Sequence, residues 1–234
     1  MDSAACLPGP PWAKVFPRLF EIYAESEQGS PGNWFEMPNV WHGLLRMDDT
    51  FRSIEAELQE IDVMSWAVFK SKASKRAHLV DEWGYSRALF DCFYEVKGYR
   101  YLLDQGHQEV RFLAEQGKVK TPDLQARKGS SIVLMEVKTI NESDMQKGYF
   151  ETPRENRIAL DHIWHLSHAF KAKLVSTIDI ARAQLLALKD PSVVQRIVYL
   201  VIRQDFHVEA NEELATFLQE QTTHELAIMY CLLD

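Results

Sequence analysis

Cysteine is scarce in this chain. Cys6, Cys92 and Cys231 are odd in number and show no CxxC spacing, which excludes a disulfide framework and a zinc knuckle and points to a reducing compartment. No apolar run approaches the roughly 20 residues that a membrane span needs. The opening MDSAACLPGPPW lacks the basic region and long apolar stretch of a secretory signal, so a soluble cytoplasmic protein without membrane association is expected. There is no glycine-rich phosphate loop, no GxSxG elbow, no Cys-His pair with supporting context, no internal repeat and no low-complexity tract.

An excess of positive charge is missing too. The 26 Lys and Arg face 34 Asp and Glu, a formal net charge of −8, whereas a nucleic-acid partner usually leaves a basic footprint. The charge is unevenly spread. Residues 110–182 carry 12 basic against 9 acidic residues, a net of +3, while residues 1–109 stand at −6 and residues 183–234 at −5. A solvated surface accounts for this as well as a local nucleic-acid groove does.

What is present is an ordinary globular composition, 46% hydrophobic and 26% charged over 234 residues, enough for one large domain with an appendage. After an irregular, proline-rich lead-in, Ala13 to Ser26 has helical spacing, with Pro17 an awkward guest in its early part. The aromatic-rich segment Asn33 to Leu45 has no clean period and is expected to be a flap on a core. Phe51, Ile54, Leu58, Ile61, Met64 and Val68 predict one long helix over Asp49 to Lys75. Its basic tail KSKASKR, Lys70 to Arg76, either touches phosphate or answers the helix macrodipole, the second being favoured. Residues 1–80 thus read as a helical N-terminal extension to a domain over 81–234.

In that domain a helix is expected from Tyr85 to Gln105, stopped by Gly106. Three short strands follow, Glu109 to Ala114, Thr121 to Ala126 and Ser131 to Thr139, forming a meander. Thr152, Pro153 and Glu155 form a capping box that opens a helix reaching toward Leu188 and Asp190, broken near Val175 to Thr177 or continuous over as many as 37 residues. The apolar RIVYLVIR, Arg196 to Arg203, predicts a strand buried on both faces. A helix near Asn211 to Gln221 and a strand near Leu226 to Leu232 end the chain. The fold class is α/β, a sheet sandwiched by helices.

The chemistry concentrates in TPDLQARKGSSIVLMEVKT, residues 121–139. Side chains two apart in a strand share a face about 7 Å apart, so Glu136 and Lys138 sit together while Val137 turns into the core. Asp123, on the preceding strand, can reach the same point. Two carboxylates, with the Val137 carbonyl as a further oxygen, are the usual minimum for holding Mg²⁺. The metal would neutralise phosphate charge and acidify a bound water, and Lys138 beside that water would orient it, help deprotonate it or stabilise the phosphorus centre. The tripeptide Glu95-Val96-Lys97 repeats the acid-x-lysine pattern on a helix with no Pro-Asp before it.

Set on adjacent strands, between two helices, this pattern resembles the PD-(D/E)xK nuclease superfamily. The resemblance covers about Tyr85 to Arg203 and implies a restriction-endonuclease-like core of helix, three-stranded meander, helix and strand. It implies Asp123 and Glu136 as metal ligands for Mg²⁺, with Mn²⁺ as a substitute, and Lys138 as the catalytic lysine. It also implies a metal-side glutamate on the first core helix, for which Glu95 in EVKGYRYLLDQG is the candidate and Asp91, one turn earlier, a neighbour on nearly the same face. The implied function is hydrolysis of phosphodiester bonds in a nucleic acid, DNA being expected. With one site per chain, cutting both strands of a duplex would favour a homodimer.

Two readings from other classes stand beside it: a non-catalytic nucleic-acid-binding or assembly module of the same fold, and an acidic interaction protein with no nucleic-acid role. His162, His165 and His168 recur every third residue but drift about 60° around a helix at each step, so a polar stripe is favoured over a metal site. Arg154, Arg157, Lys171 and Lys173 are phosphate contacts or a solvated helix face with equal weight.

Overall fold

A computed structural model describes residues 10–29, 32–79, 86–114, 121–141, 166–190, 192–203 and 208–233. The chain divides into two compact units, Met1–Val96 and Lys97–Asp234. Among the described residues no helix is long and apolar enough to cross a membrane.

The described part of the first unit is helical: a 3-10 turn at Pro11–Lys14, α1 at Pro17–Glu25, a second 3-10 turn at Trp34–Glu36, α2 at Pro38–Arg46, α3 at Asp49–Gln59, α4 at Val63–Arg76 and the first part of α5, Arg87–Asp104. The single long helix expected over Asp49 to Lys75 is in fact α3 and α4. Ile61 is buried between them, and the Asp62 carboxylate accepts hydrogen bonds from the Met64 and Ser65 amides, capping α4 afresh. The aperiodic Asn33 to Leu45, expected as a flap on a core, forms the second 3-10 turn, capped by Asn33, followed by α2 with Pro38 in its first turn, and its Trp34 and Phe35 are buried.

Pro17 is no awkward guest either. It occupies the start of α1, where a missing N–H costs nothing, and the buried Glu55 of α3 accepts from the next two amides, Arg18 N and Leu19 N, at 3.0 Å each. Trp12, fully buried, anchors this unit's aromatic core against Phe20, Tyr23, Phe35 and Trp41.

The second unit is a mixed α/β layer structure. Five strands, β1 Gln108–Phe112, β2 Leu124–Lys128, β3 Ser131–Asn141, β4 Val193–Arg203 and β5 Leu226–Leu233, lie side by side in that order. β1, β2 and β3 are antiparallel neighbours, the expected meander, while β4 and β5 run parallel to β3. A two-residue turn joins β2 to β3, with Gly129 at φ +63°, a conformation that favours glycine. β4, flanked by β3 and β5, is the apolar interior strand, and Ile197 through Ile202 are all buried as its composition implies.

Both faces of the sheet are covered. On one, α6, His168–Ala187, and α7, Val208–Gln221, bury Leu174, Ile178, Leu185, Leu214 and Leu218 against Leu134, Ile140, Val198, Leu200 and Ile202. On the other lies the second part of α5: Tyr99 stacks on Phe112, and Tyr101 meets Tyr199. α6 begins at His168 with Ser167 as its cap, accepting from the Phe170 amide. A single helix of up to 37 residues is therefore replaced by a 20-residue α6 that runs unbroken through Val175 to Thr177. The expected capping box at Thr152 lies outside the described residues.

Candidate functional site

The site forms where β2 leaves β3. The β2–β3 ladder ends at the pair Leu124 and Met135. Pro122, just ahead, has no N–H to extend it, and Asp123 stands at the bend between them. Its carboxylate then acts in place of a strand partner: Asp123 Oδ2 accepts from the Val137 amide at 3.0 Å, while the Asp123 carbonyl accepts from Leu113 N at 2.9 Å. From Glu136 onward β3 is laddered among the described residues only to β4.

Alternation along β3 sorts the other groups. Leu134 and Ile140 face α6 and α7, so Glu136 and Lys138 between them share that face, across from Val198 and Leu200 of β4. Met135 and Val137 point the opposite way, toward α5. Glu136 is only 2% exposed, and Lys138 Nζ donates to its Oε1 at 2.6 Å. The lysine side chain is 25% exposed, giving the ammonium a route to solvent. Asp123 is thus tied to the backbone of Val137, and Lys138 to Glu136, on one stretch of β3.

Glu95 belongs to the first unit. It is buried on α5, and Lys72 of α4 donates to both of its oxygens, at 2.7 and 2.8 Å. Lys72 is therefore neither a phosphate contact nor a simple answer to the macrodipole, as its place in KSKASKR suggested, but half of a buried ion pair. Lys70 of the same tail pairs with Glu25 at 2.5 Å and lies 3.6 Å from Glu21.

The donor chemistry suits a hard cation. Two carboxylates and a backbone carbonyl offer oxygen only, the preference of Mg²⁺ and Mn²⁺ and not of a thiolate- or imidazole-bound ion. Asp123 and Glu136 are two such acids; no group of three or more His, Cys, Asp or Glu positioned for a metal occurs among the described residues. Of the histidine stripe, His162 and His165 lie outside the described residues, and His168 is exposed at the first position of α6. Arg154 and Arg157 also lie outside. Lys171 pairs with Glu213 of α7 at 2.6 Å, and Lys173 is exposed.

Gly98 is a positioning residue that pattern reading missed. A Cβ at this helical position would come within 2.8 Å of Val137 Cγ2, 2.9 Å of Met135 Sδ and 3.2 Å of Leu124 Cδ1. Its absence lets α5 lie against the strands directly behind Glu136 and Lys138. A glycine inside a helix costs roughly 1 kcal/mol relative to alanine, and that penalty was its available signal. Comparisons of the chain with protein-family models, curated proteins and solved structures returned no match.

Proposed function

We propose that this chain is a metal-dependent nuclease with a restriction-endonuclease-like core, hydrolysing phosphodiester bonds of DNA with Mg²⁺, or Mn²⁺ in its place. The observation that carries the reading is the pair of contacts flanking Val137. Its amide holds Asp123, and the next residue, Lys138, is bonded to Glu136, so the two carboxylates and the ammonium are all tied to residues 136–138 of β3. The order α5, β1, β2, β3, α6, β4, with an antiparallel meander followed by a parallel strand, supports the finer fold assignment.

In this reading Asp123 and Glu136 would hold the metal, with the Val137 carbonyl as a further oxygen. A bound divalent ion supplies charge neutralisation at the phosphate and a water of lowered pKa. The Val137 amide fixes the angle at which Asp123 presents its second oxygen. Lys138 orients the attacking water and balances negative charge growing on the phosphate oxygens. Glu95 enters as the further metal-side acid that the resemblance implies, and a homodimer would supply the second site for cutting both strands.

The purified chain is expected to cut single-stranded, double-stranded or branched DNA with Mg²⁺ or Mn²⁺. Lys138→Ala and Asp123→Ala should each lower the rate by about 10²-fold or more. Failure on all three substrates, or cutting that survives both substitutions, overturns the proposal. Mn²⁺ affinity unchanged by Glu95→Gln removes Glu95 from the metal. The formal charge of −8 favours one second reading, a non-catalytic module of the same fold that binds nucleic acid or partner proteins. Nucleic acid retained without any Mn²⁺ binding would select it.

A further inference from the structure

Glu136 occupies an unusual position for a charged group. Its neighbours on the covered face of the sheet include Leu134 two residues before it and Val198 across the ladder, both fully buried. A carboxylate desolvated to this extent needs a compensating cation, because the loss of hydration costs several kcal/mol per ion. Lys138 provides one. Its four-carbon stem could carry the ammonium to solvent, yet Nζ turns back along its own strand to Oε1 at 2.6 Å. A divalent ion and this ammonium compete for the same carboxylate, since two cations a few ångströms apart in a partly desolvated site repel each other strongly.

We propose that Lys138 is the resident counter-cation of Glu136, and that it gives up this place when a divalent ion binds at Asp123 and Glu136. The ammonium then becomes available to the attacking water only once the metal balances the buried acid. One residue thus serves the structure first and the chemistry second, and the metal sets the order. This rests on the reading of Asp123 and Glu136 as metal ligands. Its consequence is opposite in sign for binding and for turnover: removing the lysine helps the metal in and stops the reaction.

The test is a Mn²⁺ titration of the full chain, followed by electron paramagnetic resonance and calorimetry. Lys138→Met should bind Mn²⁺ roughly tenfold more tightly than the parent, the equivalent of about 1.4 kcal/mol, and Lys138→Arg should stay near the parent. Lys128→Met removes an equal charge at the turn end of β2 and should shift the affinity less than about twofold, separating direct exchange from general electrostatics. Where Lys138→Met fails to fold, Lys138→Gln, whose amide can still bond Oε1 without carrying charge, replaces it. Unchanged or weaker Mn²⁺ binding on loss of the lysine overturns the inference, as does an absence of Mn²⁺ binding in every variant. Tighter binding in a protein that cuts no nucleic acid upholds the exchange and removes the nuclease reading alone.

Discussion

Asp123 performs two tasks that a pair of substitutions can separate. Its Oδ2 accepts from the Val137 amide at 3.0 Å, standing in for the ladder that β2 no longer provides. A hydrogen bond to a charged group contributes about 1.5–3 kcal/mol. At about 2–4 °C per kcal/mol for a chain of this size, Asp123→Ala should lower the melting temperature by about 3–12 °C. Asp123→Asn keeps an oxygen acceptor for the same amide, so it should melt within about 3 °C of the parent. Both variants lose the negative charge, so both should weaken Mn²⁺ binding at least tenfold and abolish cleavage. Calorimetric melting, Mn²⁺ titration and a cleavage assay read the three effects. An alanine variant that melts with the parent refutes the bridging role. An asparagine variant that retains metal affinity and activity removes Asp123 from the chemistry.

Three further outcomes are expected. Gly98→Ala gains about 1 kcal/mol of helix propensity but forces Val137 and Met135 aside at a cost of about 1–3 kcal/mol, so urea denaturation should show a net loss of up to about 2 kcal/mol, and Mn²⁺ affinity should fall with it. Lys72→Met or Glu95→Gln alone should destabilise by about 3–5 kcal/mol, because each strands a buried partner. The double variant should recover most of that loss in a double-mutant cycle, and additive losses would refute the pairing. Burial and the nearby Lys128 hold the pKa of His107 below its ordinary value of 6.5. The unfolded chain therefore takes up a proton that the fold resists: stability is complete above that pH and declines as pH falls through it. His107→Gln should flatten the melting temperature between about pH 7 and pH 5.

The features legible in the sequence were those set by neighbours close in the chain. The alternation and turn chemistry around Gly129 marked the β2–β3 hairpin, and the apolar run from Ile197 to Ile202 marked a strand covered on both sides. Pro-Asp followed by Glu-Val-Lys marked Glu136 and Lys138 on one strand, while Asp123, expected on the neighbouring strand, stands at the bend just ahead of β2. Hydrophobic spacing, by contrast, ran straight through Gln59 to Asp62, although Met64 of that stripe is exposed on α4 and Trp66 and Phe69 are the residues buried there. The Asp62 cap was the only local sign of the break.

Contacts between residues distant in the chain were beyond that kind of reading. Glu55 caps a helix 37 residues away, and Lys72 meets Glu95 across 23 residues. Gly98 owes its role to side chains on two strands that follow it. The burial of Glu136 was likewise decided only in three dimensions. Strand alternation by itself determined that Glu136 and Lys138 share a face, but whether that face meets water or helices depends on where α6 and α7 fold back. Because they fold onto it, the acid is desolvated and needs the lysine as its counter-charge.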